Sequence, residues 1–278
     1  MSRTLYLTDL DGTFLHPDAK IGEASKNIIN HLLDNGVLFS ISTARTYATV
    51  IPMFREIRLN SPLVLMNGVC IYDPVARKTL RHHTIDIADA KEVERIFLKY
   101  GKNPMLYFES ESNLRVEYRW LENKPQREYV SARDGFYNKG FVKVNEYGYN
   151  GVGDLIYAVT LDRKEEIDDI YREVSAIEGI DWNYYPDTYT GCYFLEGMKA
   201  GISKASGAMD IKRLVGADKI VAFGDNHNDI ALFEAADEAY AVGNACDALK
   251  KVATGVIDTC ENDAVARFLR QRFENGTI

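Results

Sequence analysis

The chain has 278 residues, 46% of them apolar, 27% charged, and a net charge of -8. That length suits one large domain or two modest ones, and the acidic balance argues against a nucleic-acid backbone as partner. No run approaches the roughly eighteen apolar residues a membrane span needs, and no membrane partner is expected.

In chain order, Leu5-Tyr6-Leu7-Thr8 reads as a strand ending in Asp9-Leu10-Asp11-Gly12-Thr13, two carboxylates and a glycine turn. Met1-Ser2-Arg3-Thr4 runs straight into that strand with no signal-like apolar segment. The spacing predicts a helix over 24–35, with Ile28, Ile29, Leu32 and Leu33 on its apolar face and Gly36 as its stop. A strand over 37–42 ends in Thr43-Ala44-Arg45, a helix covers 46–57, and a strand over 63–66 closes on Asn67-Gly68. A short strand over 69–72 and a turn at Asp73-Pro74 follow. This is the alternation of a parallel sheet.

The style changes near residue 83. A helix over 85–100 precedes strands at 106–108 and 114–118, and residues 119–140 are polar and irregular. Further strands are expected at 142–145, 155–161, 181–185 and 192–195, with a helix over 165–177. The alternation then resumes with a helix over 204–215 and a strand over 219–223. That strand ends in Gly224-Asp225-Asn226-His227-Asn228-Asp229. A helix over 230–236, a strand over 239–242 ending at Gly243-Asn244, a short helix, a last strand near Val256 and a terminal helix over 263–273 complete the chain.

The fold class this predicts is α/β, a Rossmann-like parallel-sheet core in three layers with an inserted α+β cap domain. The core takes residues 1–82 and 191–278, the cap 83–190, and the two core halves supply about six parallel strands. Cys70, Cys192, Cys246 and Cys260 are scattered without metal-ligand spacing, which predicts free, mostly buried thiols in a cytoplasmic protein.

Several strand ends carry polar residues: Asp9 with Asp11, Thr43, Asn67, and Asp225 with Asn228 and Asp229; Lys204 opens a helix just before the last. Singly, each has an ordinary explanation as a turn, a helix cap or a solvated lysine. Their repeated placement at carboxyl ends, where open α/β sheets bind ligands, is what calls for chemistry. Clustered carboxylates call for a divalent cation, and an all-oxygen site suits Mg2+. A carboxylate can attack phosphorus, a second acid can move the proton, and a cation with a lysine can offset phosphoryl charge. Phosphate-loop, serine-elbow and dinucleotide glycine motifs are absent from the sequence.

These residues resemble the haloacid dehalogenase-like hydrolase superfamily, in its Cof-type (IIB) phosphatase branch. Asp9-Leu10-Asp11-Gly12-Thr13 is similar to the nucleophile motif and Ser42-Thr43-Ala44-Arg45 to the phosphate-holding segment, with Ala44 where the branch commonly has glycine. Asn67-Gly68 is similar to the branch's Asn-Gly turn. Ser203-Lys204 resembles the lysine motif, with Ala205 replacing a glycine, and Gly224 to Asp229 the metal motif. Val242-Gly243-Asn244-Ala245 is also similar to a segment of the branch.

The resemblance implies Mg2+-dependent hydrolysis of a small phosphorylated metabolite through an aspartyl phosphate. Asp9 would be the nucleophile, Asp11 the acid/base and Lys204 a further catalytic group. Asp9, Asp11 through its backbone carbonyl, Asp225 and Asp229 would serve the metal, Asp229 by way of water or the lysine. Thr43, Arg45, Asn67 and Asn228 would hold phosphate or substrate. A phosphotransferase such as a hexose phosphomutase, and a ligand-binding protein without catalysis, are the alternatives. Glu109, Arg115, Tyr118, Arg119 and Tyr193 are the polar and aromatic cap positions that have either a substrate or a cap-core role. The oligomeric state stays open.

Overall fold

The first strand, β1 (Thr4–Thr8), is buried along nearly its whole length, as a strand covered on both faces must be. The computed structural model describes residues 3–135, 137–187 and 190–278; Met1, Ser2, Phe136, Thr188 and Tyr189 lie outside the described residues. The chain divides into two units, Met1–Arg81 with Ser203–Ile278, and His82–Ile202 between them.

The first unit begins with β1, α1 (Glu23–Asp34), β2 (Leu38–Ile41), α2 (Tyr47–Met53), β3 (Leu63–Leu65), β4 (Cys70–Asp73) and β5 (Lys78–His82). The inserted unit holds α3 (Ile87–Lys99), β6 (Met105–Ser110), β7 (Asn113–Tyr118), α4 (Lys124–Ser131), β8 (Lys139–Lys143), β9 (Asp154–Asp162), α5 (Lys164–Val174), β10 (Ile180–Pro186) and β11 (Tyr193–Lys199). The first unit resumes with α6 (Lys204–Val215), β12 (Lys219–Gly224), α7 (Ile230–Ala235), β13 (Glu238–Ala241), α8 (Asp247–Val252), β14 (Gly255–Val256) and α9 (Ala264–Glu274).

The core sheet is parallel, in the order β14-β13-β12-β1-β2. Leu5 and Leu38 face Ile211 of α6 on one side. On the other, Phe268 of α9 meets Phe223 and Tyr240. Helices on both faces make the core three-layered, as the alternating pattern predicts. Of the six parallel strands expected, five pair fully; β3 joins β2 through a single bridge, Ser42 to Val64. β3 instead opens a small sheet with β4 and β5, because Asn67-Gly68 turns the chain back on itself.

The inserted unit is built on a sheet of order β10-β11-β9-β6-β7-β8, antiparallel except for the β7–β8 pair. One face packs Leu106, Phe108, Ala158 and Leu195 under Val93 and Phe97 of α3 and Ile167 and Ile170 of α5. β11 pairs with β10 and β9, so the expected boundary at 190/191 cuts a hairpin and moves to 202/203. The stretch expected to be irregular forms α4, opened by the Asn123 side chain accepting from Gln126 N–H and by Pro125 in the first turn. It also forms β8. Cys70, Cys192, Cys246 and Cys260 are outside any disulfide, and Cys70, Cys192 and Cys260 are buried. No helix among the described residues is long and apolar enough to cross a membrane.

On the sheet face away from α3 and α5, Lys139 is buried. Its Nζ lies 3.3 Å from the Tyr107 hydroxyl and over the rings of Tyr107 and Phe141. Burial, reinforced by Arg133, pushes its pKa down to about 7. The unfolded chain therefore binds a proton that the native state releases between about pH 7 and the ordinary lysine range, so this group's penalty on stability is full below about pH 7 and fades as pH rises. We expect Lys139→Met to raise stability near pH 6, with a gain that shrinks toward pH 10. Urea titrations across that range measure it.

Candidate active site

The parallel register sets the site. Thr8 stands opposite Phe223 and Ile41, so β12, β1 and β2 end together. Asp9 N–H donates to Phe223 O at 2.9 Å, and Ser42 N–H to Thr8 O at 2.8 Å. Asp9, Asp225 and Thr43 emerge at one edge as a result. Gly12 turns the loop with φ +74, and a Cβ there would sit 2.4 Å from Asp225 Oδ2; only glycine permits both. The Asn244 side chain, from the end of β13, donates to Gly12 O at 2.7 Å and secures the turn.

Lys204 arrives from the other chain half. Ser203 and Ser206 form a capping box that starts α6 at Lys204. Gly207 lets that helix close on the sheet, since a Cβ would meet Val64 Cγ1 at 2.4 Å. The Lys204 ammonium is 1% exposed and donates to Asp9 Oδ1 at 2.7 Å and Asp229 Oδ1 at 2.6 Å. Burial works against that charge, but Asp229 and Asp9 outweigh it and hold the lysine pKa above its ordinary range.

Carboxylate oxygens of Asp9, Asp225 and Asp229 lie within 4.8 Å of one another. Burial pushes Asp9 well above the usual carboxylate range; Lys204 opposes the shift, and Asp229 and Asp225 add to it. Burial, with Asp229 beside it, pushes Asp225 up to about 6. One ammonium does not neutralise three clustered carboxylates, so the residues fit a small oxygen-preferring dication. Asp225 Oδ1 takes the Thr13 hydroxyl at 3.1 Å, leaving Oδ2. Both oxygens of Asp229 are engaged, Oδ1 by Lys204 and Oδ2 by the Asp225 and Asn226 N–H groups. Asp229 therefore organises the cluster more than it offers an open ligand atom. The Asp11 carboxylate lies outside the cluster, paired with Arg45.

Thr43 and Asn67 are buried and joined by Asn67 N–H to Thr43 O at 3.0 Å. Asn67 has φ +56, and its Oδ1 is buried without a hydrogen-bond partner among the described residues. An orphaned acceptor there is what a ligand-binding edge leaves behind. Arg45 is aimed at Asp11. Asn228 is exposed, so the structure does not bring it into the cluster. Thr13 and Asn244 are the contributors that sequence reasoning left without a role. Asn244 was signalled by its place after β13, at the same edge of the sheet. In the inserted unit, Glu109 accepts from Ser112 N–H and Arg115 pairs with Glu117, both within that unit's own framework.

Residues 6–269 match the haloacid dehalogenase-like hydrolase family, and the chain belongs to it. It is similar to the 5-amino-6-(5-phospho-D-ribitylamino)uracil phosphatase YitU of Bacillus subtilis, 28% identical over 97% of each chain. It is also similar to the pyridoxal phosphate phosphatase YbhA of Escherichia coli, 24% identical over 97% of this chain and 98% of the relative. Among solved structures, the subclass IIB sugar phosphatase BT4131 superposes with a TM-score of 0.75 at 19% identity, each chain fully covered. The two curated relatives are named as phosphatases, and the solved structure shares the fold of this chain.

Two substitutions test how the site is held. Gly12→Ala is expected to cost about 1–3 kcal/mol through its forced left-handed backbone. Lys204→Ala is expected to cost about 3–5 kcal/mol by stranding buried carboxylates. Urea denaturation of each variant measures both, and a change under about 0.5 kcal/mol contradicts the assigned contact.

Proposed function

We propose that the protein hydrolyses phosphate monoesters of small metabolites through an aspartyl phosphate on Asp9, with Mg2+ as its metal. The observation that carries this reading is the cluster of Asp9, Asp225 and Asp229, with the buried Lys204 ammonium paired to Asp9 and Asp229. Asp9 supplies the attacking oxygen, from the end of the central strand. Lys204 holds that carboxylate in place and faces the phosphoryl charge. Asp11 gives a proton to the leaving alkoxide and later takes one from the attacking water. Thr43 and Asn67 line the phosphate's side of the edge, and Asp229 keeps Lys204 and the Asp225 backbone fixed.

Asp9 and Asp225 would hold Mg2+, with the Asp11 backbone carbonyl. When bound it neutralises carboxylate and phosphate charge together. The inserted unit is read as the cap that selects the substrate. The names of the two curated relatives, one for a phosphoribitylamino-uracil and one for pyridoxal phosphate, support a small phosphorylated metabolite.

Phosphate release across sugar phosphates, nucleotides and phosphorylated cofactors, with Mg2+, is the test. Asp9→Asn is expected to lower turnover at least about a thousandfold, and unchanged turnover excludes Asp9 as nucleophile. Conversion of a hexose phosphate to its isomer without free phosphate would assign a phosphotransferase instead. Excess chelator is expected to abolish turnover and added Mg2+ to restore it; full activity after thorough metal removal contradicts the metal assignment.

A further inference from the structure

Asp11 is held by a fork. Arg45 Nε donates to Oδ2 at 2.7 Å and Arg45 Nη2 to Oδ1 at 2.6 Å. Both carboxylate oxygens accept, which is the bidentate geometry of an ionised carboxylate with a guanidinium. The Asp11 side chain is 56% exposed, so without the fork it is free to sample its staggered rotamers. Arg45 is itself anchored. Its N–H donates to Thr43 Oγ1 at 3.2 Å, its carbonyl accepts from Met66 N–H at 3.1 Å, and Nη1 lies 3.6 Å from Met53 Sδ. A backbone tied to the ends of β2 and β3 thus fixes a side chain at the end of β1.

We propose that Arg45 is a positioning residue, which holds Asp11 as the carboxylate that activates water, and not a grip on the substrate phosphate. The proposal rests on the aspartyl-phosphate reading above. In the second half-reaction, the water oxygen forms a bond to phosphorus and its proton passes to Asp11. The bond between phosphorus and the Asp9 oxygen breaks, its electron pair returns to the Asp9 carboxylate, and inorganic phosphate leaves. A base displaced from the line of the attacking water loses most of its effect.

p-Nitrophenyl phosphate separates the two halves, because nitrophenolate departs without needing a proton. Its kcat/KM reads phosphorylation of Asp9, and kcat reads hydrolysis of the aspartyl phosphate where that step is slow. For Arg45→Gln we expect kcat to fall about tenfold or more, with kcat/KM changed less than about twofold. A burst of nitrophenolate and phosphoenzyme trapped by acid quench are expected with it.

In an Asp11→Asn background, the same substitution is expected to lower kcat no further. Arg45→Lys, which keeps the charge but lacks the fork, is expected to fall between Gln and wild type. It also serves as the second variant should Gln perturb folding. A loss of kcat/KM through raised KM, without a burst, would assign Arg45 to the substrate phosphate and overturn the proposal. So would wild-type kinetics in both variants. Asp9→Asn run alongside separates the two levels. If it is dead while Arg45→Gln behaves as wild type, only the positioning role falls; if it turns over, the aspartyl-phosphate reading falls.

Discussion

Burying the Lys204 ammonium is the constraint from which the site follows. A lysine at the first turn of a helix meets the positive end of the helix dipole, and at 1% exposure it also loses its water. Both costs are offset only by placing carboxylates against it, and Asp9 and Asp229 come from two different strand ends to do so. The lysine thereby ties α6 to β1 and to the turn after β12, although these segments lie far apart in sequence. Removing either partner leaves a buried charge uncompensated, which costs more than the pair contributes.

That arrangement divides the acidic residues by environment. Asp9 and Asp229 are buried, and Asp225 is partly so, with burial raising the pKa of Asp9 and Asp225. Their charge demands a cation. Asp11 sits two residues from Asp9 yet is more than half exposed and has its own guanidinium. In the proposed reaction this separation suits the two tasks: a fixed, desolvated carboxylate attacks phosphorus, and a solvent-facing one exchanges protons with water.

The inserted unit shows where local pattern loses its grip. Residues 119–140 have few apolar residues at helical spacing, and α4 forms through its Asn123 cap and a contact of Gln126 with Thr160 of β9. The strand β5 went unseen because Lys78-Thr79-Leu80-Arg81-His82 is polar and mostly exposed, an edge strand held by its neighbour and not by a buried face. The misplaced boundary has the same origin. Nothing local distinguishes Tyr193–Lys199 from a core strand; its partners β9 and β10 do.

The strands and helices of the core, and the polar residues at their carboxyl ends, were legible in the sequence. Apolar runs buried on both faces, glycine turns and helix stops are short-range signals. The match of motif order to a family added which of those residues belong together. Tertiary structure alone decided how each is used. It committed both Asp229 oxygens to neighbours, turned Arg45 onto Asp11, left Asn228 in solvent, and recruited Thr13 and Asn244. The reason is physical: a residue's place in a strand is set by its neighbours in the chain. The partners of its charged atoms are set by which other strand ends the sheet register delivers within about 3 Å.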